Sequence, residues 1–425
     1  MREAFRQLSV GLILLSAFIC LYFPARLADH WALVWSGRFF PLAYMVYPAL
    51  SMAAGGIALF LAQPRWDRRD WPLGMLALGW LASSLGSNDP GLSLRILAGI
   101  LLRGAIPGWV IMKMLKTRKE AFWMTRLLLA LVLLIAVVGL RQFAELEKPF
   151  LFYIPAAAGR VSGTLDHPLP FSSVLLGGMA LSFVCFQPSM ILTILGEMVS
   201  GAALIFTFSR SSWIIAGLLF SYVFLYERTW RKRLILSVGS TAILCALTTL
   251  CFFTTAKTLE IAGIKHALVR RFGVSIHFHN PRFASYAVSR QMVRQAPFLG
   301  TGLGTFPEEY CRYQVRGRAT GILTPDNLYL RLMTETGFVG LALWLALLMG
   351  WFRKARRRLI AMSAAERDFQ KGLILSVLAL LASSLFFDSL YWPANLMVLS
   401  LLMGLSAGNW QPAMTHAASH ENLGA

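Results

Sequence analysis

Acidic residues are scarce in this chain: 20 Asp and Glu stand against 40 Lys and Arg, a formal net charge of +20. In a soluble protein that imbalance would point to nucleic acid. Here only 14% of residues are charged while 57% are hydrophobic, and most Lys and Arg sit in short clusters between apolar runs. Such clusters are the ordinary topogenic bias of membrane proteins, so nucleic acid is not an expected partner. Cysteine is scarce too, five in 425 residues, with no CxxC pair. That excludes the common zinc and dithiol frameworks. Cys20, Cys185, Cys245 and Cys251 lie in or beside apolar runs and read as small packing residues; Cys311 stands alone in a polar stretch. No metal site and no cofactor is expected. Internal repeats are absent, and the one biased segment is a polar tail from Gln411.

Long apolar runs are what the chain has. They fall near 8–25, 41–62, 71–87, 92–114, 122–141, 168–187, 189–208, 211–227, 234–253, 337–353, 370–387 and 390–408. About 20 such residues cross a hydrocarbon core of roughly 30 Å as a helix. Lipid offers backbone groups no water to bond, so these runs must be helices. The expected fold is therefore all-α: a polytopic membrane protein of about 12 transmembrane helices with a large, partly helical loop. The organisation divides into an N-terminal bundle over 1–253, a loop domain over 254–336, C-terminal helices over 337–410 and the tail over 411–425. The first run, preceded by Arg2 and Arg6, reads as a retained span rather than a cleaved signal. Basic clusters at Arg65/Arg68/Arg69, Lys113/Lys116/Arg118/Lys119, Arg228/Arg231/Lys232/Arg233 and Arg353/Lys354/Arg356/Arg357/Arg358 fall on one side of the bundle. By the positive-inside rule that side, with both termini, is cytoplasmic.

The loop over 254–336 breaks this pattern, because it is basic yet faces the other side. Long loops translocate regardless of charge, so its arginines need another reason. Residues 282–296 read as an amphipathic helix with Phe283, Tyr286, Ala287 and Val293 at three- and four-residue steps and Arg290 and Arg294 on a neighbouring face. Pro297 closes it, and Gly300, Gly302 and Gly304 mark a tight turn. A second short helix is expected near 326–335.

Arg210, in TFSRSSW at the outer junction of two spans, either anchors to headgroups or holds a phosphate with its planar fork. Arg282 is either a solvated surface residue or a second phosphate contact. Together they could neutralise a diphosphate leaving group, whose charge grows as its bond breaks. Asp326 and Asn327 follow Pro325 at a helix start. They serve as an N-cap, and Asp326 could also take a proton from an attacking hydroxyl. His277 and His279 are rival bases. Arg160, in RVSGTLDHP, is either an interfacial anchor or a third phosphate contact, with Gly163 and Pro168 suggesting a re-entrant turn. Arg103 and Glu197 lie deep in their spans, where a lone charge costs about 2.5–3.5 kcal/mol; a buried structural ion pair between them is the expectation, with a proton relay as the rival.

At these residues the chain resembles the O-antigen ligase and polymerase superfamily of bacterial membrane glycosyltransferases. The resemblance is carried by TFSRSSW with Arg210, Arg282 followed by Tyr286, APFLGTGLGTF, and DNLYLRLMTETGFVG, which holds Asn327 and Glu335; RVSGTLDHP resembles a weaker outer-loop motif. It implies a GT-C-like architecture in the bacterial inner membrane with the active site on the periplasmic face. It implies a glycan donor on undecaprenyl diphosphate, gripped at Arg210 and Arg282, and a metal-independent, inverting transfer to a glycan or lipid A-core hydroxyl. Asn327, Tyr286 and Glu335 would be supporting groups. One position departs. Where the ligase pattern has His, followed by Asn, Ser or Gln, nine residues and Gly-x-x-Gly, this chain has Asp326 ahead of Asn327, Gly337 and Gly340. The departure favours polymerisation over ligation to lipid A core. A lipid-glycan transporter and a non-catalytic scaffold that only binds lipid-linked glycan are the readings from other classes.

Overall fold

The structure, a computed structural model, describes residues 2–22, 42–58, 70–144, 160–165, 167–185, 189–255, 281–313 and 324–410. His277, His279 and the tail from 411 lie outside them. Helices account for nearly all of the described residues, and no β-strand occurs among them. In chain order these are α1 (Arg2–Tyr22), α2 (Leu42–Ile57), α3 (Trp71–Leu85), α4 (Pro90–Ile100), α5 (Ile106–Met114), α6 (Arg118–Ala144), α7 (Pro168–Cys185), α8 (Met190–Phe206), α9 (Arg210–Tyr226) and α10 (Arg228–Thr255). Then follow α11 (Pro281–Gln295), α12 (Phe306–Tyr313), α13 (Leu328–Ala361), α14 (Ala364–Ser383) and α15 (Pro393–Ala407). A π-helical turn, Leu101–Ala105, joins α4 to α5.

Among the described residues, Glu3–Leu21, Pro90–Met114, Arg118–Phe143 and Leu328–Ala361 are long and apolar enough to cross a membrane, and shorter apolar helices accompany them. The chain is a helical membrane protein. Local chemistry sets the helix starts. Proline occupies the first turn of α4, α7, α11 and α15, where its missing N–H costs nothing. Side chains cap others: Asp89 accepts from Leu92 N at 2.9 Å, Asn327 accepts from Leu330 N at 3.0 Å, and Ser363 with Glu366 forms a capping box on α14.

Polar side chains gather at the two ends of the bundle. At one end Arg6 donates to Met114 O at 2.7 Å and to Glu120 at 2.9 Å, Lys113 pairs with Asp70 at 2.7 Å, and Lys371 pairs with Glu227 at 2.8 Å. Arg118 and the cluster closing α13 belong to this end, so the predicted topogenic clusters at 113–119, 228–233 and 353–358 share one side of the fold; the Arg65/Arg68/Arg69 cluster lies outside the described residues. At the other end lie the starts of α4, α7, α9, α13 and α15 and the finishes of α3, α8 and α14.

The expected Arg103–Glu197 ion pair is not there. Glu197, on α8, is 1% exposed and accepts a hydrogen bond from Ser182 Oγ of α7. Arg103 sits in the π turn, which packs on α15, α5 and α2 rather than on α8. Charges set singly among apolar neighbours carry no pattern that fixes which way each turns, and Glu197 faces Ser182 of the adjacent helix.

Candidate functional site

The polar end opposite the basic clusters is built around a break in α13. Gly337 has φ 66° and ψ −172°, which separates a short helix, 328–336, from the long one that follows. A break leaves carbonyls unbonded on one side and N–H groups on the other. The segment after α11 supplies both. Thr301 N and Gly302 N donate to Thr334 O and Glu335 O at 3.1 and 2.8 Å, while Phe338 N and Val339 N donate to Pro297 O and Phe298 O at 2.8 and 3.2 Å. A Cβ on Gly337 would overlap the Phe298 carbonyl, and one on Gly302 (φ 109°) would overlap Ser87. The GTGLG run is therefore a docking device: its glycines let the loop backbone touch helix backbone.

Glu335, 0% exposed, locks this joint. It accepts from Gly304 N at 2.7 Å, Phe306 N at 3.2 Å and Arg331 Nε at 3.0 Å, and from Tyr391 Oη. Arg331 is also paired with Asp388, and its guanidinium carbon lies 3.5 Å over the Tyr391 ring. The Tyr391 hydroxyl thus donates to Glu335 beneath the Arg331 guanidinium. Arg331, Asp388 and Tyr391 were not among the predicted residues. The four-residue step from Arg331 to Glu335 was a visible signal; the link to Asp388, 57 residues on, was not.

On this joint stands the Asp326 turn. The predicted alternative, an N-cap, belongs to Asn327, whose amide also donates to Leu385 O at 3.0 Å. Asp326 is thereby left to other work. Its carboxylate accepts from Arg282 Nε at 3.1 Å and from Thr324 Oγ1 at 3.1 Å. The Asp326 side chain is 19% exposed and that of Arg282 is 37% exposed, so the pair faces outward. An ionised carboxylate has about four lone-pair sites; with two used, it can accept a proton from a further hydroxyl.

Arg282 opens α11, which is amphipathic as expected but on a different face. Val288 and Met292 are buried with Ser285 and Ser289, while Tyr286 and Ala287 are exposed. The serines can turn inward because Ser289 Oγ satisfies itself on Ser285 O at 2.7 Å. Val288 and Met292 pack on Phe306 and Tyr310 of α12. Tyr286, predicted as a supporting aromatic, is on the open side, and the Phe283 side chain lies outside the description.

Arg160 and Arg210 form a second group. Arg160 Nε donates to Thr207 O at 2.8 Å, in the turn that ends one residue before α9 begins at Arg210. The 160–165 segment folds back into the bundle: Gln142 accepts from Ser162 N and Gly163 N at 3.1 and 2.9 Å, and Thr164 donates to Leu21 O at 2.6 Å. Arg210 itself is exposed. A file of hydroxyls and backbone groups links the two arginine groups: Ser212 to Ser172 at 2.7 Å, Ser173 to Ser383, and Leu328 N to Ser384 O at 2.9 Å. Phe208 and Asp326 are the non-glycine residues with positive φ among the described residues, at 49° and 46°. Each costs roughly 1–2 kcal/mol of backbone strain. One stands two residues from Arg210 and the other bonds Arg282. Such strain persists where packing over-determines the backbone and clusters at functional sites.

One end of the bundle thus carries guanidinium groups in two clusters, Arg160 with Arg210 and Arg282 with the oriented Asp326 carboxylate. That suits binding of a phosphorylated group with proton transfer beside it. Residues 195–345 match the O-antigen ligase family. The matched segment contains Arg210, Arg282, Asp326, Arg331 and Glu335, and leaves out Arg160, Asp388 and Tyr391. A search of the curated proteins finds no match.

Proposed function

We propose, on the premise that residues 195–345 put this chain in the O-antigen ligase and polymerase superfamily, that it is a glycosyltransferase of surface polysaccharide synthesis. Members of that superfamily act on lipid-linked glycans, and the chain is a helical membrane protein accordingly. The donor in this reading is a glycan on undecaprenyl diphosphate. An acceptor sugar hydroxyl attacks the anomeric carbon from the face opposite the diphosphate, so configuration inverts. The C–O bond to the diphosphate breaks as the new glycosidic bond forms. Asp326 takes the hydroxyl proton, and Arg210 and Arg282, with Arg160 as a third contact, hold the departing diphosphate. Fixed cations there act most where charge is growing, which lowers the barrier without a metal.

The observation that carries this reading is Arg282 Nε on the Asp326 carboxylate at 3.1 Å. It brings a guanidinium, read here as the phosphate-binding group, and a carboxylate, read here as the base, together from positions 44 residues apart. The aspartate at the ligase histidine position favours polymerisation, with repeat-unit glycan as acceptor; ligation to lipid A core is the alternative. The lipid-glycan transporter reading is weaker, because Arg103 and Glu197 do not pair. The reading also includes about 12 bilayer crossings, a cytoplasmic basic end, both termini in the cytoplasm, and the site on the periplasmic side of the inner membrane.

The test is polysaccharide produced in cells carrying Arg210→Ala or Arg282→Ala, compared on gels with wild type. Loss of product in both supports the assignment; normal chain length and yield in both rejects it. In a deletion strain, single repeat units on lipid A core indicate a polymerase. Bare core with accumulated lipid-linked polymer indicates a ligase.

A further inference from the structure

A cavity of about 670 Å³ lies between α3, α5, the long part of α13 and α15. Its walls are apolar: Leu76, Trp80, Trp344, Leu347, Leu396 and Met403 among them. Its mouth is at the basic end. There Arg353, Lys354, Arg357 and Arg358 line it; of the acids nearby, Asp70 is held by Lys113 at 2.7 Å and Glu366, close enough to act on Arg358, pairs with Arg118 at 3.7 Å. Topogenic lysines and arginines ordinarily turn outward into water. These four also border the opening of an apolar slot, Arg353 and Arg357 exposed and Lys354 and Arg358 half-buried. Arg358 is fixed in place: it donates to Trp410 O at 3.1 Å, and its guanidinium carbon lies 4.2 Å over the Trp410 ring. Its Nε is buried and makes no hydrogen bond. A buried donor left without an acceptor costs about 1–3 kcal/mol, so an acceptor supplied from outside would be favoured there.

Length identifies the occupant further. The α15 residues lining the slot run from Leu396 to Ala407, about 16 Å at 1.5 Å per residue. The α13 residues lining it run from Trp344 to Ala361, about 26 Å on the same rise, so the slot is long enough for an extended acyl chain. We propose that this slot is a specific site for an anionic glycerophospholipid of the leaflet at the basic end, with its phosphate on Arg353, Lys354, Arg357 and Arg358 and an acyl chain between the helices. The site is separate from the donor's, since its cations are at the end of the bundle opposite Arg210 and Arg282. It does not depend on the glycosyltransferase reading.

Two variants probe the slot without disturbing the fold. Arg353 and Arg357 are exposed, so Arg353→Gln/Arg357→Gln removes charge at little structural cost. At Gly350 a Cβ meets nothing nearer than Pro72 Cγ at 3.7 Å, so Gly350→Leu puts a side chain into the slot without a backbone clash. Full-length protein in neutral detergent would be titrated with phosphatidylglycerol, phosphatidylcholine, diacylglycerol and a polyprenyl monophosphate, with thermal unfolding and native mass spectrometry as readouts. The expected result is saturable stabilisation by phosphatidylglycerol, one retained lipid per chain, and at least a tenfold weaker affinity in each variant. Equal stabilisation by phosphatidylcholine or diacylglycerol would mean non-specific filling and overturn the proposal. So would preference for the polyprenyl phosphate, or unchanged phosphatidylglycerol binding in both variants.

Discussion

Removing Glu335 should undo the joint on which the arginine site stands, and the cost can be worked from its partners. Glu335→Ala deprives Gly304 N and Phe306 N of their acceptor and takes one of two carboxylates from Arg331. Removing one partner of a buried ion pair costs about 3–5 kcal/mol, and each orphaned backbone N–H about 1–3 kcal/mol. These losses share one site and do not add fully; Asp388 still compensates part of the Arg331 charge. About 4 kcal/mol is a fair expectation, and in a chain of this size that lowers the unfolding midpoint by roughly 5–10 °C. Glu335→Gln keeps the shape and one acceptor oxygen but points an NH2 group at N–H donors, so a loss of about 2 kcal/mol is expected. The assay is thermal unfolding of purified protein in detergent, paired with limited proteolysis across 297–306, which should become cleavable in Glu335→Ala first. Were Glu335→Ala to unfold within a degree of wild type, with the loop still protected, the network would not be holding the loop and the account of the joint would be wrong.

Other outcomes follow from the same geometry. Gly337→Ala forces a Cβ at φ 66° against the Phe298 carbonyl, and a loss of at least 2 kcal/mol is expected in the same unfolding assay. Asp326→Asn tolerates φ 46°, since asparagine enters the left-handed region readily, so it separates chemistry from conformation. Polysaccharide output should fall about 10²–10⁴-fold with unchanged unfolding temperature; full output would exclude Asp326 as the base. Glu197→Gln keeps an acceptor for Ser182 and breaks no ion pair, so yield and stability should match wild type. A large drop would mean that the carboxylate charge has a role that the Ser182 contact does not explain.

Much of the helical framework was readable from the chain. Apolar runs, proline at helix starts, Asn327 as a cap and glycines at 300–304 act through the local backbone, and a local cause leaves a local trace. Even the break at Gly337 was foreshadowed by the switch from a short polar helix to a long apolar run. What tertiary structure alone decided is which side chains meet. In a helix that is apolar all round, no polar stripe sets its rotation about its own axis, so Glu197 could not be aimed at Arg103 or at Ser182 in advance. The buried face of α11 was hidden for a related reason: two serines occupy it, Ser289 by bonding the Ser285 carbonyl of its own helix, and a hydrophobic pattern does not count serines. Arg331 with Asp388, and Arg282 with Asp326, join segments whose separation in the chain says nothing of their separation in space. Composition and spacing thus set the class of molecule and the stock of charged groups, while packing chose the pairs, because a pair depends on the orientation of two helices and each sequence segment describes only one.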